Sequence, residues 1–335
     1  MPTPEKFFDM AFAFERTAAI NTAVELEIFT AMAGGAETVA AVGKRCGASE
    51  RGTRILCDFL TINGLLTKNG DRYQLTPDSA AFLSKTSPMY LGGTLRFLTS
   101  PDIVRNFDNL TETVRRGTVR PEDNHVAGEE QDLWVNFAKA MVPMMMPAAL
   151  GIADALQIAS AGPVRVLDIA AGHGMFGIVL AQQNPRAEIV AVDWPGVLAV
   201  ASENARKTGV QDRFRTLPGD AFKVEYGSGY DIALLTNFLH HYDSATCTHL
   251  LRKVTSALNP GGRAVILEFV PNEDRVSPPI PAAFSLMMLS GTPAGDAYTL
   301  ADLRKMTEEA GFTGVTTHAL PTPETVVIAT TSDRR

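Results

Sequence analysis

The chain has few cysteines, no long apolar run and no surplus of positive charge, and each shortage removes a class of protein. Cys46, Cys57 and Cys247 are the three cysteines in 335 residues. They show neither the even count of a disulfide scaffold nor the paired spacing of a zinc site, so buried free thiols and no metal are expected. No apolar run reaches the roughly 18 to 20 residues needed to cross a bilayer, so no membrane partner is expected. Residues 1–9 carry acids and lack the basic start and cleavage site of a secretory signal, which makes a cytoplasmic location the expectation. Lys and Arg number 30 against 37 Asp and Glu, a net charge of -7, and this balance argues against a nucleic-acid partner, which clustered cations would serve. There is no internal repeat and no low-complexity tract.

What remains is a globular chain long enough for two domains. Residues 1–105 read as helices followed by a small hairpin. Phe7, Phe8, Met10, Ala11 and Phe14 begin one helix, and Ala23, Val24, Leu26, Ile28 and Phe29 form a second amphipathic stripe. Residues 38–45 and 49–66 resemble a helix-turn-helix with Ser49 as N-cap and Gly64 near the stop. Asn69-Gly70 then stands between two short strands in residues 66–75, a strong hairpin signal, and the sum is a winged helix. Its recognition helix carries only Arg51 and Arg54 as cations, against Glu50 and Asp58. DNA is therefore disfavoured, and burial of apolar faces against a second copy predicts a homodimer.

Residues 106–160 read as a helical connector whose stripe of Trp134, Phe137, Met141, Met144, Met145 and Met146 is bracketed by Pro143 and Pro147. Methionine stripes are more often core filler than pocket wall, yet a kinked connector is also a common place for a ligand cleft. Residues 161–335 alternate strand and helix strictly, with strands over 164–170, 188–194, 214–219, 230–237 and 263–270, and two closing strands over 314–320 and 325–331. The fold class is α/β, a doubly wound Rossmann-like sheet behind a mostly helical N-terminal domain.

Three strand ends carry the chemistry. Val-Leu-Asp-Ile-Ala-Ala-Gly-His-Gly, residues 166–174, runs an apolar strand into Asp168 and a small-residue turn. Asp193 closes the next apolar run, and Gly219-Asp220-Ala221-Phe222 follows the third. Turn amides, a carboxylate for ribose hydroxyls and a polar-plus-aromatic pair for a base describe a nucleoside site. Gly172 to Gly177 also fits the dinucleotide pattern G-x-G-x-x-G, which alone is weak. Asp168 decides between the two, because it would repel an anionic pyrophosphate and can meet the amino end of S-adenosylmethionine.

On these residues the chain resembles the class I S-adenosylmethionine-dependent small-molecule O-methyltransferases with an N-terminal winged-helix dimerisation domain, over nearly its whole length. The resemblance implies a seven-stranded sheet with a reversed final strand pair, S-adenosylmethionine as cofactor, and turn-backbone contacts at Ala170 and Gly172. It further implies ribose contact at Asp193 and adenine contacts at Asp220 with Ala221 or Phe222. The full candidate set adds Asp168, Gly174, Trp194, Gly219, Thr236 and Asn237, the last two on a looser match. Ala170 stands where the family has its first glycine, which is tolerable if the backbone there is not forced to positive φ.

His240, within Asn237-Phe238-Leu239-His240-His241-Tyr242-Asp243, resembles the family's catalytic base, and Glu268 the carboxylate that orients it. Methyl transfer is an in-line displacement from a sulfonium, a hydroxyl is a poor nucleophile until its proton leaves, and a histidine can take that proton near neutral pH. The family's second supporting glutamate would fall at Ala297; Asp296 or Tyr298 could substitute, or the acceptor could need less help. Trp134, Phe137, Met141, Met145, His241, Phe284 and Met288 are the candidate walls of an apolar acceptor pocket, with ordinary core packing at least as good a reading for any one of them. His125, His173, His249 and His318 have no partner that the sequence reveals. The expected activity is methyl transfer to a hydroxyl of an apolar, aromatic small molecule. Transfer to sulfur or carbon, a protein of this fold that binds the cofactor without methylating, and a winged-helix regulator that senses the cofactor are the alternatives.

Overall fold

The structure, a computed structural model, describes residues 1–121, 124 and 132–333; part of the connector expected over 106–160, and His125 with it, lies outside the described residues. The chain forms two compact units, Met1–Pro101 and Asp102–Arg335.

In the first unit, helices Glu5–Ala11, Ala13–Glu25, Ile28–Ala33, Val39–Cys46 and Glu50–Ile62 precede the hairpin of β1 (Leu66–Asn69) and β2 (Arg72–Leu75). The caps explain the boundaries. Thr38 Oγ1 accepts the Ala41 N–H at 3.3 Å and Ser49 Oγ accepts that of Gly52 at 3.1 Å, each satisfying an amide that the helix cannot. Asn69 pairs with Arg72, so the two-residue loop is Gly70-Asp71, one residue later than Asn69-Gly70. Gly70 takes the positive φ, 62°, at the first loop position, where glycine is favoured. Ile28, Phe29, Val42, Cys57, Leu60, Leu66 and Tyr73 are fully or almost fully buried, whereas Cys46 is only half-buried. The helix Glu5–Ala11 buries no residue. On the helix Glu50–Ile62, Asp58 pairs with Arg54 at 3.0 Å, Lys68 at 2.6 Å and the Tyr73 hydroxyl at 2.6 Å. Hydrogen bonds from Lys68 and Tyr73 hold its carboxyl down at about 2. One of the two recognition-helix cations is thus engaged within the unit.

The second unit is a seven-stranded sheet in the order β5-β4-β3-β6-β7-β9-β8. Its strands are β3 (Val164–Ile169), β4 (Ala187–Asp193), β5 (Phe214–Pro218), β6 (Tyr230–Thr236), β7 (Leu258–Glu268), β8 (Gly314–Ala319) and β9 (Thr325–Thr330). The first five of the order are parallel; β9 is antiparallel to both β7 and β8. Helices on both faces bury the central strands, which is why Leu167, Ile169, Ala233 and Leu235 read as continuous apolar runs rather than alternating ones. The carboxyl ends of β3, β4, β5, β6 and β7 share one edge of the sheet.

The connector helices Asp132–Ala140 and Val142–Ala155 bend by 70° where they meet. The bend falls at Met141, ahead of the two prolines. Pro143 lies in the first turn of the second helix, where a missing N–H costs nothing, and Pro147 sits inside that helix without ending it. Among the described residues, no single helix is long and apolar enough to cross a membrane, and no group of three or more His, Cys, Asp or Glu is placed to hold a metal.

Candidate active site

The turn after β3 is built on left-handed backbone at Ala170 (φ 52°), Gly172 (56°) and Gly174 (74°). The condition set on Ala170 is therefore not met: this alanine is held at positive φ, which costs an L-residue about 1 to 2 kcal/mol. Strain of this kind persists where the surroundings over-determine it. Here Gly174 N–H bonds Ala171 O at 2.8 Å and Ala171 N–H bonds Val192 O at 3.1 Å. Gly177 is the third glycine of the pattern for a packing reason: a Cβ there would lie 2.6 Å from Ile189 and 2.9 Å from Asp168 Oδ2.

Asp193 ties two strand ends together. Its Oδ2 accepts the Gly172 N–H at 2.8 Å and its Oδ1 the Trp194 N–H at 2.7 Å, while its carbonyl accepts the Gly219 N–H at 2.9 Å. Asp168 is fully buried; Oδ2 accepts the Gly177 N–H at 3.1 Å and Oδ1 has no hydrogen-bond partner. Burial pushes its carboxyl up to about 8, with a smaller push from Asp193, against the pull of the Gly177 N–H.

At the end of β5, Asp220 Oδ1 accepts the Phe222 N–H at 2.9 Å, and the Phe222 ring meets Tyr242 at 4.9 Å and Phe238 at 6.2 Å. Lys253, which the sequence does not single out, braces this turn: its Nζ donates to Ala221 O at 3.1 Å and Phe222 O at 2.9 Å and lies 4.3 Å from the Tyr226 ring. Ahead of β6's exit, Thr236 is buried, and Asn237 sits at φ 53° with its Oδ1 buried and without a partner. Its Nδ2 donates to Met145 Sδ at 3.5 Å.

His240 stands on a short 3₁₀ turn, Leu239–His241, after β6. Glu268 at the end of β7 holds it: Oε2 lies 2.5 Å from His240 Nδ1, and Oε1 accepts the N–H groups of Phe238 (3.1 Å), Leu239 (2.8 Å) and His240 (3.3 Å). Both residues are buried. His240 Nε2 makes no hydrogen bond to any described residue, and the ring meets Phe284 edge-on at 4.9 Å and His241 at 4.2 Å. Phe284 in turn stacks on Phe269 at 4.2 Å.

The candidate pocket residues are brought together in part. Trp134 packs on His241 at 5.3 Å and on Phe137 at 6.2 Å, and the Phe137 ring reaches over the cofactor turn, 3.6 Å from where a Cβ on Gly172 would lie. His241 is half-buried against Trp134. Met141, Met145 and Met288 are buried. His173 does have partners: its Nδ1 accepts the Met175 N–H at 3.1 Å and its ring lies between Phe137 and Phe176. Burial pushes this imidazole down to about 4, so it is neutral. Neither candidate substitute for the second glutamate reaches the His240 ring with its side chain. The Asp296 carboxylate pairs with Arg275 at 3.0 Å, and the Tyr298 hydroxyl donates to Tyr242 O.

Buried acceptors without donors, beside a carboxylate fixed between two strand ends and an aromatic wall, fit an adenosyl ligand that carries an ammonium group. A family model described as the O-methyltransferase domain matches residues 130–313, and one described as the O-methyltransferase dimerisation domain matches residues 8–85. The chain belongs to the O-methyltransferase family. It is 48% identical to a Nostoc punctiforme protein classed as an O-methyltransferase, whose crystal structure superposes with a TM-score of 0.94 over 98% of this chain and 99% of that one. It is 29% identical to the 3-hydroxy-5-methyl-1-naphthoate 3-O-methyltransferase of Streptomyces sahachiroi, over 96% of this chain and 92% of that relative. Human N-acetylserotonin methyltransferase in complex with S-adenosylmethionine shares the fold, at 23% identity and a TM-score of 0.84 over 98% and 97% of the two chains. This O-methyltransferase uses S-adenosylmethionine to methylate a small molecule.

Proposed function

We propose that this O-methyltransferase acts as a homodimer on a hydroxyl of an apolar, aromatic small molecule, with His240 as general base and Glu268 as the group that orients it. One observation carries the proposal: the 2.5 Å contact between His240 Nδ1 and a buried carboxylate that already accepts three backbone N–H groups. An ionised carboxylate only accepts, so the shared proton belongs on Nδ1 and Nε2 is left with its lone pair. Nε2 then takes the acceptor's hydroxyl proton, and Glu268 stabilises the imidazolium that results. S-adenosylmethionine, when bound, supplies a methyl group on a sulfonium. Asp193 would hold its ribose, Asp168 its amino group, and the turn amides with Phe222 and Asp220 its remaining polar edge and base. Trp134, Phe137 and Phe284 give a flat apolar acceptor aromatic faces to stack on. The hydroxynaphthoate in the name of the Streptomyces sahachiroi relative supports this substrate class.

The homodimer reading rests on the apolar surface of the first unit, where Phe7 (68% exposed), Met10 (81%) and Ile62 (80%) face outward. A groove of about 510 Å³ between the helices Ala13–Glu25 and Glu50–Ile62 is lined by Leu26, Ile55, Leu56 and Phe59.

The deciding experiment is His240→Ala, assayed by release of S-adenosylhomocysteine with an acceptor that the unaltered enzyme methylates. Turnover should fall by about 10²- to 10⁴-fold with cofactor affinity intact. Turnover at the original rate would end the general-base reading, and a product methylated on carbon or sulfur would end the hydroxyl reading.

A further inference from the structure

The family resemblance leaves a gap at Ala297, where a methyl group stands in place of a second orienting carboxylate. We infer that the loop carrying Ala297 positions the base through the main chain instead, and that the Tyr298 hydroxyl and the Asp296 N–H are the two points of that clamp. This inference rests on His240 as base.

The segment from Phe238 to Tyr242 is short and irregular, with Leu239 and His240 buried between half-buried ends, and Glu268 Oε1 already gathers the amides of residues 238–240. Phe238 O and Leu239 O take the His241 and Tyr242 N–H groups within the turn, so it is the carbonyls of His240 and Tyr242 that need donors from elsewhere. The Asp296 N–H donates to His240 O at 3.0 Å, and the Tyr298 hydroxyl donates to Tyr242 O. Two alternate positions of the loop, 296 and 298, thus grip two alternate carbonyls, one at the base itself and one two residues on. The approach is close: a Cβ on Gly295 would lie 2.2 Å from His240 O and 2.6 Å from Thr292 Oγ1, so only glycine lets the loop come this near.

The loop is itself anchored on both sides. Thr292 Oγ1 accepts the Gly295 N–H at 2.9 Å and donates to Met288 O at 2.7 Å. Thr299 closes a capping box with Asp302 on the helix Leu300–Glu309. Arg275 spans Asp296 at 3.0 Å and Asp302 at 2.8 Å. A carboxylate at 297 would hold the imidazole directly; the clamp holds the backbone from which the imidazole projects. Gly295, Asp296 and Tyr298 are accordingly positioning residues.

The test compares Tyr298→Phe and Gly295→Ala with His240→Ala, with kcat expressed per cofactor-binding site counted by calorimetry so that misfolded protein does not register. Tyr298→Phe removes one oxygen and should lower kcat by about 3- to 10-fold, the worth of one hydrogen bond, with cofactor Kd and acceptor KM unchanged. Gly295→Ala displaces the base and should lower it by about 100-fold. Wild-type kcat per site in both variants, beside an inactive His240→Ala, would overturn the clamp and leave the base standing. A loss that merely tracks the fraction of sites binding cofactor would make the loop structural only and would equally overturn it. An active His240→Ala would instead remove the base, and the clamp with it.

Discussion

The two units are incomplete in opposite ways. The first unit pairs its half-buried charge locally, with Asp58 taking Lys68, Arg54 and Tyr73, but leaves Phe7, Met10, Phe14 and Ile62 in water. The second unit encloses its apolar strands on both faces, yet keeps Asp168 Oδ1 and Asn237 Oδ1 buried without donors. Exposed apolar side chains are relieved by a large apolar surface, and a second copy offers one. Buried acceptors without donors are relieved by a small molecule bearing N–H or O–H groups. On the proposed homodimer, the first unit turns to a second copy, whereas the second unit turns to its cofactor.

The sharpest break is expected in the second unit. Glu268→Gln keeps an oxygen for the three amides of residues 238–240 but presents an NH₂ group to His240 Nδ1. The ring must then accept at Nδ1 and carry its proton on Nε2, where no base remains. Turnover should drop by on the order of 10³-fold or more while the fold and cofactor binding persist. Equal turnover in a steady-state assay would detach Glu268 from the chemistry.

In the first unit the corresponding break is loss of assembly. Burying one exposed phenylalanine is worth about 1.5 to 3 kcal/mol, so Phe7→Asp with Phe14→Asp should weaken self-association by roughly 10²- to 10⁴-fold. Sedimentation velocity at micromolar protein should show the unaltered chain at dimer mass and the double variant at monomer mass. A monomeric unaltered chain would leave the exposed face without the proposed occupant.

Asp168 gives a smaller, pH-dependent effect. Its carboxyl titrates at about 8 in the folded protein, above the ordinary carboxylate range, because burial disfavours the charge. Between about pH 4 and 8 the unfolded chain has released this proton and the folded chain has not, so this group's contribution to stability falls as pH rises through that window. A bound ammonium group would offset the charge. Cofactor affinity should therefore tighten from pH 6 to 8.5, by at most about tenfold per unit. Asp168→Asn should abolish that slope and raise the melting temperature of the ligand-free protein at pH 8.5. A pH-independent Kd in calorimetry would separate Asp168 from the amino group.

Much of this was legible in the sequence, for identifiable reasons. Strands enclosed on both faces announce themselves as apolar runs, and β3 to β9 end within a residue or two of where residues 164–331 place them, apart from an earlier start to β7. Asp193 and Glu268 stand out because each closes a strand, whereas His240, on the turn after β6, was marked by the family resemblance. What escaped depends on reach between distant segments. Lys253 braces a turn some thirty residues away, and Arg275 and Tyr298 act on partners that no local pattern links. The hairpin loop lies one residue beyond Asn69 because register, not the dipeptide, fixes it. The connector bends at Met141 because Pro143 is harmless in a first helical turn.

Ala170 was legible as a departure but not as a strained one, and it gives the finest test of the comparison. Its φ of 52° is unfavourable for alanine and free for glycine. Ala170→Gly should therefore gain stability by about 1 kcal/mol, after the extra freedom of glycine in the unfolded chain is subtracted. That gain corresponds to a rise of about 2 to 4 °C in Tm for a unit of this size, read by calorimetry. If the turn is strained only to present its amides to the cofactor, the glycine variant should also bind S-adenosylhomocysteine no more weakly. A lower Tm would show that the alanine methyl makes packing contacts worth more than the strain. The same exchange at an unstrained alanine of the first unit, Ala31 in the middle of Ile28–Ala33, should instead cost about 1 kcal/mol or more, since there glycine loosens a helix and removes a buried methyl.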